Sequence, residues 1–191
     1  MSSGRRRTFV VLLLVLSPFL IGFCALLVGG TSALGVADAL RVLVGSAPLD
    51  ADPQMAEVIV FGFRMPRVIL LMLAGAALAV SGAALQASLQ NPLAAPGLLG
   101  MSTGASVGAV AAHVSGWALA WAPSLPLLAF VGALVAMLAV YLIASAAGRP
   151  TTGTLLLTGV AVSSMGSSLV SIMIISTADY RVHEILHWLL G

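Results

Sequence analysis

The sequence predicts an all-α, polytopic transmembrane helical bundle of about five spans, and two observations carry that expectation. Only 7% of its 191 residues are charged and 60% are hydrophobic, against about 25% charged in an ordinary soluble domain. So little charge cannot solvate a globular surface. No charged residue falls between Arg67 and Arg149, a run in which a soluble fold would expose several faces. At about 20 apolar residues per span plus a connection, the length accommodates about five helices. Disordered, disulfide-scaffold and water-soluble catalytic classes are excluded. A transmembrane barrel would demand polar residues at every second position of its strands.

The first predicted span is 8–28, with Arg5, Arg6 and Arg7 held in the cytoplasm by the positive-inside rule. A cleaved signal peptide, with Thr31-Ser32-Ala33 as small residues at the cut, is the rival for this segment; its apolar run exceeds a signal core of about 7–15 residues. Residues 29–66 hold four of the six acids, Asp38, Asp50, Asp52 and Glu57, and are expected outside the membrane with a short helix near Asp38 to Val44. A second span over 67–89 is stopped by Asn91-Pro92, because proline disfavours helix at the residue before it. The third, 98–121, starts after Pro96-Gly97 and ends at Trp117 and Trp121, whose rings suit the headgroup boundary. The fourth, 125–147, ends at Gly148-Arg149-Pro150, and the fifth covers 154–176. Five spans from an inside N-terminus put the tail after Thr177 outside, all within one transmembrane domain, 1–191.

The chain has no lysine, so the phosphate-binding pattern GxxxxGK[ST] is impossible and any ATP must be hydrolysed by another subunit. The formal net charge of +2 is scattered and implies no nucleic-acid partner. The lone Cys24 can form no internal disulfide.

Gly100, Gly104 and Gly108 form two consecutive GxxxG units, which predict close helix packing. Gly75, Ala79, Gly82 and Ala83 predict the same for the second span. Leucine at Gly104 should force helices apart, whereas alanine there should be tolerated. In the fifth span Ser163, Ser164, Ser167, Ser168 and Ser171 fall on one face. They either bond to other helices or to their own backbone, or they line a wet pathway.

His183-Glu184-Ile185-Leu186-His187 is a literal HExxH, in which two histidines one turn apart bind zinc and the glutamate activates water. A zinc site needs a third protein ligand. His113 is expected in another span and Asp179 is adjacent in sequence, so the expectation is an amphipathic surface helix, with no metal and no catalytic residue.

The stretch from Arg64 to Ala112 resembles the FecCD family of ABC importer permeases. The carrying pieces are Arg64-Met65-Pro66-Arg67, the run from Gly75 to Gln86 (GAALAVSGAALQ), Asn91 to Gly100 (NPLAAPGLLG) and the Ser102-Thr103-Gly104-Ala105 that follows. The match continues in Leu155 to Val160 and ends in His187-Trp188-Leu189-Leu190-Gly191. The resemblance implies a transporter permease with no enzymatic activity or cofactor of its own. It implies a multi-pass protein of the bacterial inner membrane, importing iron(III)-siderophore complexes, with cobalamin or haem as the alternative cargo. Implied partners are an ABC ATPase subunit, an extracytoplasmic substrate-binding protein, a second permease copy or paralogue, and membrane lipid. Arg64 and Arg67 are implied to dock the binding protein, with interfacial anchoring as the plainer alternative. The family has ten spans, so the chain is expected to be an N-terminal half that cannot import by itself. An intramembrane zinc peptidase using His183, Glu184 and His187 is the rival from another class, and a non-transporting remnant is a third possibility.

Overall fold

The computed structural model describes residues 3–28, 34–48, 50–146, 148–177 and 179–190. The small residues Thr31-Ser32-Ala33, the expected span end at Ala147 and the terminal Gly191 lie outside them. Among the described residues all regular structure is helical. The elements are α1 (Ser3–Leu27), α2 (Val36–Leu43), α3 (Pro53–Glu57), a π-helical segment (Val58–Arg64), α4 (Met65–Leu89), a 3-10 turn (Pro96–Leu99), α5 (Met101–Val114), α6 (Trp117–Ala120), α7 (Ser124–Ala146), α8 (Thr152–Ile175) and α9 (Asp179–Leu190). Four helical stretches are long and apolar enough to cross a membrane: Arg5–Leu27, Pro53–Leu89, Ser124–Ala146 and Thr152–Ile175. Their surfaces are what lipid demands, since α1 exposes Phe9 through Leu16 and α4 buries no residue.

Two elements differ from the sequence expectation. The second long helix starts at Pro53, not near Arg67, so the stretch 53–66 of the segment expected in water belongs to it. The cause is local: the Asp52 carboxylate accepts from the amides of Gln54 at 2.8 Å and Met55 at 3.1 Å, with Pro53 at the first helical position. The expected third span over 98–121 is not one helix. Its residues divide among the 3-10 turn, α5 and α6, because Gly100 and Gly116 both adopt φ +80°, a left-handed conformation that interrupts a helix at each end of α5. With 14 residues, α5 is about 21 Å long and falls short of the about 30 Å apolar core.

The chain divides into two compact units, Met1–Ala79 and Val80–Gly191. In the first, α2, α3 and the π-helical segment enclose a small core of Leu34, Ala39, Val42, Ala56 and Val60. In the second, α5 packs on both α7 and α8, and α9 lies on α5. The start of α8 is fixed by a reciprocal cap, in which Thr151 Oγ1 accepts from the Thr154 amide while Thr154 Oγ1 accepts from the Thr151 amide at 2.8 Å. The neighbouring Thr152 hydroxyl donates to the Leu89 carbonyl at 3.0 Å, joining α8 to the end of α4.

Candidate functional site: the arginine joint, the glycine contact and the α9 helix

The Arg-x-Pro-Arg segment straddles the junction between the π-helical segment and α4. Pro66 cannot donate to the carbonyl one turn earlier and its ring presses on that turn. The wider π turns through Val58–Arg64 accommodate it. Arg64 is 8% exposed. Its Nη1 donates to the carbonyls of Leu26 and Leu27, both at 3.0 Å, and its Nη2 donates to Leu34 at 3.3 Å. The first two are end carbonyls of α1, which have no partner within their own helix and form the negative end of its dipole. Arg64 is therefore an interior anchor, and the exposed member of the pair is Arg67.

At the other end of α4, Gln90 adopts φ +48°. Asn91 Oδ1 accepts from the Leu93 amide at 2.9 Å, forming an Asx turn with Pro92 at its centre. Gln86 Nε2 donates to the Ala94 carbonyl at 3.4 Å and closes the loop.

The three glycines of the repeated GxxxG do not share one partner. Gly104 and Gly108 face α7, where a β-carbon on Gly104 would overlap the Gly132 carbonyl oxygen and lie 2.5 Å from Ala136 Cβ. One on Gly108 would overlap the Leu128 carbonyl. Gly100 stands before the helix and meets α8, 3.4 Å from Val162 Cγ1 by the same construction. The expectation that alanine at Gly104 is harmless is thus corrected, because the contact is backbone against backbone. Of the partner glycines, Gly132 on α7 carried no motif and Gly159 on α8 lay in the Leu155 to Val160 match without a packing role assigned to it; a β-carbon on Gly159 would overlap the Leu98 carbonyl oxygen. Gly75 and Gly82, expected to pack tightly, have nothing within 4 Å of an added β-carbon.

Along α8, the hydroxyls of Ser164, Ser168 and Ser171 each donate at 3.0 Å to the carbonyl four residues earlier. These three and Ser167 are exposed, whereas Ser163 is half-buried beside Gly100. Ser168 also lines an open, apolar groove of about 700 Å³ with Val135, Met165 and Leu169.

The HExxH lies on α9, a 12-residue helix. Ile185 is fully buried against Val110 of α5 and Val170 of α8. Arg181 Nη1 donates to the last carbonyls of α5, Val114 at 2.7 Å and His113 at 3.4 Å, again a guanidinium at a helix C-terminus. His183, Glu184 and His187 are exposed. Glu184 Oε2 is 3.7 Å from His113 Nδ1, so the side chain facing His113 is the glutamate. Among the described residues no three His, Cys, Asp or Glu side chains converge to hold a metal as they stand.

Comparison with known proteins places this architecture. The sequence model of the FecCD transport family matches residues 16–191. The cobalamin import system permease protein BtuC of Halobacterium salinarum is 40% identical over 152 residues, covering 76% of this chain and 39% of the relative. The vitamin B12 import system permease protein BtuC of Salmonella paratyphi A is 39% identical over 151 residues, covering 76% of this chain and 44% of the relative. A solved structure described as an inward-facing conformation of a metal-chelate type ABC transporter superposes with a TM-score of 0.71 at 25% identity, covering 96% of this chain and 53% of that one. The chain thus spans less than half the length of the curated relatives it matches.

Proposed function

The chain belongs to the FecCD transport family, and on that premise we propose that it forms part of the permease subunit of a binding-protein-dependent ABC importer for cobalamin. The observation that carries the cargo is the identity of 40% and 39% with two permeases named for cobalamin and vitamin B12 import. The sequence alone put iron(III)-siderophore complexes first, and those two names move cobalamin ahead of them. Both cargoes are bulky metal chelates, consistent with the metal-chelate type of the structural neighbour.

Transport by this subunit requires no covalent chemistry from its residues. A loaded binding protein docks at the outer face of the cytoplasmic (inner) membrane, where exposed Arg67 offers a charge to an acidic partner surface. ATP bound and hydrolysed by a separate subunit shifts the bundle between outward- and inward-open states, through contacts that differ between the two. Cargo moves between two permease copies, with the hydroxylated face of α8 as a candidate lining. The HExxH string takes no catalytic part, and the family supplies no peptidase activity.

The cargo assignment is tested by ATPase stimulation in the reconstituted transporter containing this chain. Binding protein loaded with cobalamin should stimulate hydrolysis above the unloaded protein, and ferric siderophore should not. Stimulation by the ferric complex alone would restore the iron assignment.

A further inference from the structure

We propose that Arg5, Arg6 and Arg7 form a binding surface for the headgroups of anionic phospholipids at the start of α1. All three are exposed, as is every residue that follows as far as Leu16. The helix continues without a charged residue to Leu27, and the roughly 20 residues from Arg7 to its end rise about 30 Å, the thickness of the apolar core. With that stretch in hydrocarbon, the three guanidiniums stand at the depth of the lipid phosphates, on the inner side by the positive-inside rule. Successive residues of a helix point about 100° apart. The triplet therefore covers more than half of the circumference and reaches phosphates of several lipids around α1.

Its own unit supplies the triplet with no counter-charge. The first turn of α1 holds no acid, and the first acid of the sequence is Asp38. Asp38 and Glu57 belong to α2 and α3, and Asp52 caps α3. Those two helices enclose the core that packs against Leu27, at the opposite end of α1. That end lies about 30 Å along the helix from Arg7, several times the Debye length of about 8 Å at physiological ionic strength, so salt screens the attraction. The unpaired amides of the first turn add the positive end of the α1 dipole to the three full charges. Such a cluster beside a membrane span attracts lipids of net negative charge over zwitterionic ones. An acidic protein surface would satisfy the same charges, but the exposed apolar flank from Phe9 to Leu16 continues directly from Arg7. What surrounds that flank surrounds the arginines too, and an apolar flank of this kind faces lipid.

The test compares spin-labelled phosphatidylglycerol with spin-labelled phosphatidylcholine in phosphatidylcholine vesicles that hold the complete transporter containing this chain. The motionally restricted fraction of each label measures how strongly that lipid associates with the protein. The parent should prefer phosphatidylglycerol, and the preference should fall as salt is raised from about 0.05 M to about 0.5 M. Arg5→Gln, Arg6→Gln and Arg7→Gln together should lower the preference about fivefold or more. The triple change to lysine should keep most of it, and Arg41→Gln, which removes an exposed charge from α2, should change it less than about twofold. The labels occupy both leaflets, so an inverted variant gives the same reading, and the salt titration of the parent decides the matter if the glutamine variant does not insert. Equal association of the two lipids with the parent would overturn the proposal and leave the arginines to anchor on any headgroup. So would a preference that survives the triple glutamine change, or loss of the ATPase subunit from that variant with its lipid preference intact, which would set the triplet against protein.

Discussion

Gly104 of α5 and Gly132 of α7 face each other so closely that neither has room for a β-carbon: one added to either residue would overlap the carbonyl oxygen of the other. In a membrane, where lipid tails are as apolar as leucine, such close approach supplies the van der Waals contact that holds helices together. The contact also explains why a 14-residue helix too short to span the apolar core is well seated, since α5 packs on α7 and α8 along its length.

Gly104→Ala and Gly132→Ala should each destabilise the second unit by about 1–3 kcal/mol, the usual cost of overpacking. Gly75→Ala and Gly82→Ala, with open space around them, should be neutral or stabilise by up to about 1 kcal/mol through higher helix propensity. Thermal unfolding in one detergent compares all four. Equal melting temperatures for Gly104→Ala and Gly75→Ala would remove the close-contact argument.

Arg64 and Arg67 should separate in experiment. Arg64→Met leaves the carbonyls of Leu26, Leu27 and Leu34 without their guanidinium donor, and a buried group stripped of its partner costs about 1–3 kcal/mol. Stability should fall before any docking is measured. Arg67→Glu should leave the melting temperature unchanged and weaken association with the binding protein, in a salt-dependent way. Immobilised binding protein and the purified transporter give the second readout; unchanged association would leave Arg67 with interfacial anchoring alone.

Ile185→Ala should empty the fully buried position between Val110 and Val170, at a cost of about 2–5 kcal/mol. Because Ile185 is, among the described residues, the fully buried side chain of α9, the loss should appear as faster amide hydrogen exchange in α9, with α7 unchanged. Uniformly faster exchange throughout would mean that α9 is integral to the bundle.

The serines of α8 bond to their own helix, so Ser164→Ala, Ser168→Ala and Ser171→Ala should each change stability by less than about 0.5 kcal/mol. If the face lines the pathway, the triple change to leucine should slow uptake with the protein still folded. Uptake at the parental rate would make the serines mere helix-surface residues.

What could be read from the sequence and what could not divide on physical grounds. The absence of charge from 68 to 148 states the solvent, and the solvent dictates helices; that much is local and additive. The start of the second long helix was legible too, in Asp52-Pro53, but the acids around it read as a water-facing loop. The breaks on either side of α5 turn on the left-handed φ of Gly100 and Gly116, where the same glycines equally suit a packed helix. Arg64 could not be placed, because its burial comes from carbonyls more than 30 positions away. Gly132 and Gly159 are invisible as partners for the same reason. The HExxH string was legible as a pattern, yet the contact of Glu184 with His113 arises only when α9 folds back on α5.

The central claim is that this chain serves a permease carrying cobalamin, and uptake measures it most directly. Proteoliposomes holding the complete transporter that contains this chain, its ATPase and its binding protein should accumulate radiolabelled cobalamin only with ATP. A tenfold excess of unlabelled cobalamin should abolish the signal and the same excess of ferric siderophore should not. ATP-dependent uptake of the ferric siderophore with none of cobalamin would contradict the account.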